Sequence, residues 1–199
     1  MKRTLAFVFA LLGWFALIAQ YCLMLKNSVL NFNEMTIQFF SYFTILTNLM
    51  VAIYFTNQAL KKSDSEIKSG LLTAITIYIL IVGMVYQVAL RSTWNPTGLQ
   101  RIVDELLHSI IPVLVIIYWH LYENKKNLQY KQMALWAIYP LFYLFYILIR
   151  GSFSKFYPYP FVNVTELGLN KVFINAFFIL LFFLALSFLF IRIGKASKK

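Results

Sequence analysis

The chain has 199 residues, of which 61% are hydrophobic and only 13% charged, and its mean hydropathy is +0.71. Soluble domains are nearer half apolar and a quarter charged, so this composition excludes an ordinary soluble protein and indicates one all-α integral membrane domain over residues 1–199. The net charge of +11 lies in short loops between apolar runs, without a continuous basic face, which argues against nucleic acid as a partner.

Six apolar segments are long enough to cross a membrane, since one span needs about 20 residues. The first begins after Met1-Lys-Arg-Thr and resembles a signal peptide, but its apolar run continues to Leu25 without a clear cleavage site. We therefore interpret it as an uncleaved first helix. The six predicted segments are 4–25, 36–59, 70–90, 102–122, 131–150 and 171–193.

The distribution of basic residues predicts that both termini are cytoplasmic, because Lys and Arg are enriched in cytoplasmic loops. With six spans in that orientation, 12 of the 18 basic residues lie on the cytoplasmic side. These are Lys2, Arg3, Lys61, Lys62, Lys68, Lys125, Lys126, Lys131, Arg192, Lys195, Lys198 and Lys199.

Polar residues within the predicted spans fall mostly in the outer half, and polar groups in hydrocarbon need partners. This asymmetry favours a polar pocket below the outer surface, although interhelical hydrogen bonds scattered through an inert bundle would give the same pattern. Counted from the predicted starts of their helices, Thr44 lies about 12 Å deep and His108 about 9 Å deep. The two side chains can therefore meet if their helices face each other.

Segment four opens with the most unusual stretch of the chain, Asp104-Glu-Leu-Leu-His-Ser-Ile-Ile-Pro112. Asp104, Glu105 and His108 share a helix face because residues three and four apart are neighbours. A hydroxyl nucleophile needs a base and a group that orients the base. Thr44 or Thr47 can supply the hydroxyl, His108 the base, and Asp104 or Glu105 the orienting carboxylate. Candidate donors to an oxyanion are the pocket residues Asn48, Gln87 and Asn175.

Three alternative roles for these residues stay open. Threonine in a membrane helix often bonds to its own backbone or joins helices. Asp104, Glu105 and His108 together with Glu166 would make an oxygen-rich metal site, although zinc prefers more nitrogen or sulfur ligands; we predict no metal or other cofactor. A carrier is the third alternative, but the sequence lacks the inverted repeat and paired broken helices of many transporters.

The last outer loop, residues 151–170, combines two prolines with many aromatic residues. Pro158 and Pro160 stiffen it, and the aromatic side chains suit a membrane interface. The loop is either an interfacial anchor or a lid over the pocket.

Three stretches are informative together: Phe40-Ser-Tyr-Phe-Thr-Ile-Leu-Thr-Asn48, Asp104 to Pro112, and Tyr157-Pro-Tyr-Pro-Phe-Val-Asn-Val164. In this order and spacing the chain resembles the androgen-induced-gene family, and most closely its uncharacterised bacterial six-span relatives. Animal members of that family are membrane threonine hydrolases of fatty acid esters of hydroxy fatty acids. The resemblance implies Thr44 as nucleophile, with Thr47 as the alternative register, and His108 as base. This chain departs from the animal members at the polar pair Thr47-Asn48.

The sequence therefore predicts a multi-pass protein of a bacterial cell membrane whose pocket opens toward the outer leaflet. We expect it to hydrolyse a membrane lipid or acyl-ester substrate with Thr44 and His108. The alternative is a non-catalytic membrane protein that binds a lipid or assists transport. The pattern makes no prediction of oligomeric state.

Overall fold

The structure is a computed structural model that describes residues 1–61 and 69–197, and this part of the chain is mostly helical, without a β-strand. The α-helices of these residues are α1 (Lys2–Asn27), α2 (Phe32–Phe39), α3 (Phe43–Leu60), α4 (Leu71–Val85), α5 (Gly98–Glu105), α6 (Ile111–Tyr122), α7 (Gln132–Ser154), α8 (Val164–Leu167) and α9 (Leu169–Ala196).

Six helical stretches in the described part are long and apolar enough to cross a membrane, which confirms the predicted all-α, multi-pass architecture. The cytoplasmic location of both termini stays a prediction. Four of the basic residues on which it depends lie outside the described residues, namely Lys62, Lys68, Lys198 and Lys199. In chain order the spans are Lys2–Asn27, Phe43–Leu60, Leu71–Thr93, Gly98–Tyr122, Gln132–Ser154 and Leu169–Ala196.

The chain packs as two compact units, Met1–Glu123 and Asn124–Lys199. That the six spans form a single domain stays a prediction of the sequence. In the first unit, α1 lies along α3, and α4 packs against both α3 and α6. Small residues allow the close approach of α1 and α3, since a methyl group built on Gly13 would lie 3.1 Å from the Cβ atom of Ala52.

The second unit is built on α7 and α9, which pack against each other. The segment between them folds back at Lys155, whose φ of 57° is left-handed. It then forms a 3₁₀ turn at Pro160–Val162 and the short helix α8. The Asn175 side chain of α9 donates a hydrogen bond of 2.9 Å to the carbonyl oxygen of Phe161, which ties this segment to α9.

The second predicted segment, 36–59, is wrong as one continuous helix, because the chain breaks between α2 and α3. Turn bonds replace helical ones there: Ser41 N–H donates to the Gln38 carbonyl at 2.9 Å and Tyr42 N–H to the Phe39 carbonyl at 3.4 Å. Tyr42 is extended and caps α3, its carbonyl accepting from the N–H of Ile45 and of Leu46. The break places Thr44 in the first turn of α3 rather than about two turns inside a longer helix.

Candidate functional site

The third and fourth spans each contain one π-helical turn, at Tyr86–Leu90 and at Leu106–Ile110. In the fourth span the N–H of Ile111 bonds to the Leu106 carbonyl, five residues earlier. Pro112 contributes to this irregularity, because it lacks the N–H that the carbonyl four residues before it, that of His108, would accept in an α-helix. Such π-bulges inside helices are frequent at functional sites.

The two spans approach closely at this point because Gly83 has no side chain. A methyl group built on Gly83 would lie 2.9 Å from the carbonyl oxygen of His108 and 3.4 Å from the ring of Pro112. Gly83 therefore lets α4 pack directly against the backbone that carries His108. The contact fixes the position of the His108 main chain relative to the third span.

The imidazole of His108 is held by Asp104 and Tyr86. Its Nδ1 atom lies 3.1 Å from the Oδ1 atom of Asp104 and 3.0 Å from the Asp104 carbonyl oxygen. The phenol of Tyr86 donates a hydrogen bond to the other carboxylate oxygen of Asp104. The Tyr86 ring also stacks on the imidazole, with centroids 4.0 Å apart and planes at 14°. Asp104 is therefore the carboxylate that can orient the base, as one of the two sequence alternatives proposed.

The contacts of Nδ1 define which nitrogen of the neutral ring can act as a base. Both atoms next to Nδ1 are oxygens of Asp104, which accept hydrogen bonds when the carboxylate is ionised, so these contacts assign the proton of the neutral ring to Nδ1. The lone pair then resides on Nε2. A carboxylate that holds a histidine in one tautomer is a common feature of hydrolase sites. His108 is also accessible, since 14% of its side chain is exposed.

Glu105 and Gln87 belong to a different set of hydrogen bonds. The Arg91 guanidinium pairs with the Glu105 carboxylate and also donates to the Gln87 amide oxygen at 2.9 Å. The Gln87 amide nitrogen donates to the Ser109 hydroxyl at 2.8 Å, and that hydroxyl donates to Glu105 at 2.7 Å. These four side chains form a closed ring that joins the third and fourth spans. In this arrangement the Glu105 carboxylate contacts Arg91 and Ser109 rather than His108, and the Gln87 amide is shared between the same two side chains.

Asn48 connects the turn that carries Thr44 with the turn that carries His108. Its amide nitrogen donates to the Thr44 carbonyl at 2.9 Å and to the Leu107 carbonyl at 3.3 Å. The opposite amide orientation would bring the Asn48 oxygen against two carbonyl oxygens, so the assignment follows from the network. The start of α3 therefore lies beside the π turn of the fourth span.

This bonding also differs from the expected role of Asn48 as a donor to an oxyanion. An asparagine amide has two N–H donors, and both are used by backbone carbonyls. Its Oδ1 atom is buried and has no hydrogen-bond partner among the residues the structure describes. Next to Thr44, the Asn48 side chain can therefore still accept a hydrogen bond through its Oδ1 atom.

Thr44 is the more accessible of the two threonines considered as nucleophile, with 8% of its surface exposed against 0% for Thr47. Its place in the first turn of α3 puts it at the positive end of that helix's dipole. The dipole favours a negative charge there, such as one that develops during attack on a carbonyl. Thr44 therefore fits a nucleophile better than Thr47.

The remaining predicted pocket residue, Asn175, lies in the second unit, where its amide bonds to the Phe161 carbonyl. The role of Tyr86 was not predicted from the sequence. The spacing of Tyr86 along its own span gives no signal of a partner in the next span. In the described ranges, no group of three or more His, Cys, Asp or Glu side chains is placed to hold a metal ion.

Comparison with known proteins found no matching family model, no matching curated protein and no matching solved structure.

Proposed function

We propose that the protein hydrolyses an ester of a membrane lipid, with Thr44 as nucleophile and His108 as general base. The observation that supports this most strongly is the contact of His108 Nδ1 with the Asp104 carboxylate, which leaves Nε2 as the basic nitrogen. Ionisable groups inside membrane spans are costly, so a histidine paired there with a buried carboxylate is a functional candidate by default. The resemblance to membrane threonine hydrolases points to the same two residues.

In the first step, His108 Nε2 takes the proton of the Thr44 hydroxyl while the oxygen attacks the ester carbonyl. The Asp104 carboxylate stabilises the imidazolium that forms, through the Nδ1–H hydrogen bond. When the tetrahedral intermediate collapses, the alkoxide leaves and receives the proton from Nε2. The products of this step are a free alcohol and an acyl ester of Thr44.

In the second step, water replaces the alcohol. His108 Nε2 takes a proton from the water, whose oxygen attacks the acyl carbonyl, and the proton then returns to the Thr44 oxygen. The carboxylic acid is released and the site is restored. Both steps use the same nitrogen as base and then as acid, as in other covalent hydrolases.

A membrane lipid fits as the substrate because the Asp104–His108 pair lies within an apolar span. Apolar side chains of the same span, such as Ile110 and Val113, are exposed on the surface of the protein, where lipid chains can contact them. The resemblance suggests an ester of the fatty acid ester of hydroxy fatty acid type. It also suggests a bacterial cell membrane as the location. The polar residues in the outer halves of the predicted spans suggest a pocket open toward the outer leaflet.

The test is labelling of the purified full chain by a fluorophosphonate probe, which captures activated hydroxyl nucleophiles. We expect labelling of the wild-type protein and of Thr47→Ala, and loss of labelling in Thr44→Ala and His108→Ala. Thr44→Ser, which keeps a hydroxyl, should retain labelling. Thr47→Ala serves as the matched control, because it removes the same chemical group one turn further along α3.

Undiminished labelling in both Thr44→Ala and His108→Ala would overturn the proposal. A protein that is never labelled but retains lipid through purification would instead support the alternative, a non-catalytic lipid-binding or transport-related membrane protein.

A further inference from the structure

The second unit contains an arginine with an unsatisfied hydrogen-bond donor. Arg150 lies near the end of α7, and its Nη1 atom is buried without a hydrogen-bond partner among the described residues. Burying an N–H group of a cation without an acceptor is costly, and the cost is larger within a membrane span. An acceptor from outside the protein would remove this cost.

Aromatic side chains of the segment after α7 lie against Arg150 and against its neighbour Gly151. The chain reverses at Lys155 and returns along the end of α7, so that the Phe156 ring lies 4.9 Å from the guanidinium carbon of Arg150. The ring of Tyr157 lies directly on Gly151, where any side chain would collide with it. The segment after α7 therefore covers one side of the arginine through aromatic contacts.

The charge of the second unit also favours an anionic ligand. Residues 124–199 contain a single acidic residue, Glu166, which is exposed, against ten basic residues. The carboxylates of the spans elsewhere have partners, because Asp104 contacts His108 and Glu105 pairs with Arg91. Both of these carboxylates are therefore already paired with side chains other than Arg150.

We propose that Arg150 binds the anionic headgroup, a carboxylate or a phosphate, of a single amphiphile. The planar guanidinium presents paired N–H donors that match both kinds of oxyanion. The face of α7 next to it is apolar and exposed, with Phe145, Ile149 and Phe153 at 60%, 61% and 85% exposure. An acyl chain can lie along this face while its headgroup reaches the arginine. The site is independent of the proposed hydrolysis at Thr44.

The experiment measures thermal unfolding of the purified full chain in a neutral detergent during titration with two matched pairs of amphiphiles. One pair is oleate and oleyl alcohol, and the other is dioleoyl phosphatidic acid and dioleoylglycerol. Each pair differs in its anionic group. We expect the melting temperature to rise with an acid and not with its uncharged partner, because a ligand that binds the folded state stabilises it.

Variants assign the effect to the arginine. Arg150→Gln should weaken the apparent affinity for the acid by about 10-fold or more, the contribution expected of a hydrogen bond to a charged group. Lys171→Gln removes one positive charge from the same unit and should respond as the wild type does. An effect of oleate alone identifies a free fatty acid, and an effect of phosphatidic acid alone identifies a phospholipid. An equal response of Arg150→Gln and wild type would overturn the proposal, as would an equal response to an acid and its uncharged partner.

If Arg150→Gln fails to fold, chemical modification of the wild-type chain by phenylglyoxal tests in its place whether the acid binds at Arg150. The extent of reaction at Arg150 is read from its peptide by mass spectrometry. Protection by an acid but not by its uncharged partner supports the site, and equal modification in all four cases excludes it.

Discussion

Replacing Gly83 by alanine tests the contact that positions the base. The added methyl group would lie 2.9 Å from the His108 carbonyl oxygen and 3.4 Å from the Pro112 ring. Non-bonded heavy atoms are optimally separated by about 3.5 Å or more, so the third and fourth spans must move apart by about half an ångström. Neither neighbour is the end of a flexible side chain, and neither can rotate away.

The expected magnitude is the balance of two terms. Overpacking of this kind costs about 1–3 kcal/mol, whereas alanine in place of glycine inside a helix contributes about 1 kcal/mol in the other direction. We therefore expect Gly83→Ala to lower the free energy of unfolding by up to about 2 kcal/mol. The measurement is thermal unfolding of the purified protein, together with the rate of fluorophosphonate labelling, which should also fall because the displaced backbone carries His108.

The matched control is Gly194→Ala, where the added methyl group would lie 2.8 Å from the Cδ1 atom of Leu128. That atom is the far end of a flexible side chain, which yields more easily than the backbone oxygen and proline ring that face Gly83. We expect little net change in the free energy of unfolding of the Gly194→Ala variant. If Gly83→Ala were as stable as the wild type and were labelled at the same rate, the close packing of Gly83 on His108 would be refuted.

Three further substitutions compare the two carboxylates and test the role of the tyrosine. Asp104→Asn should slow labelling by about 100-fold or more, because an amide N–H in place of the carboxylate disfavours protonation at Nδ1. The isosteric Glu105→Gln should slow labelling by less than about 3-fold, since the Glu105 pair with Arg91 is partly exposed. Equal effects of the two would contradict the assignment of Asp104. Tyr86→Phe keeps the ring stacked on the imidazole but removes the hydrogen bond to Asp104, so labelling should slow by about 10-fold; an unchanged rate would show that this bond does not position the carboxylate.

The membrane architecture was predictable because it depends on local properties. The length of each apolar run is sufficient to identify a span, and the six predicted segments all overlap the spans observed. The pairing of Asp104 with His108 could also be predicted from the sequence, since residues four apart share a helix face. The spacing left open whether Asp104 or Glu105 is the partner, because three residues and four residues are both compatible with contact.

Features that depend on contacts between spans were not predictable. The break at residues 40–42 falls in an apolar sequence without proline or glycine, so periodicity gave no sign that α3 begins at Phe43. Tyr86 reaches Asp104 from the neighbouring span, and its π turn carries no proline to mark it. Pro112, by contrast, does mark the π turn that contains His108, and could have been used to predict it.

The role of Thr44 as a nucleophile activated by His108 can be read from the site of the fluorophosphonate adduct. The labelled protein is digested and the modified residue is identified by mass spectrometry. We expect an adduct on the Thr44 hydroxyl of the wild-type chain and no adduct there in folded His108→Ala. An adduct on another residue only, or an adduct on Thr44 that forms equally fast without the imidazole, would contradict this role.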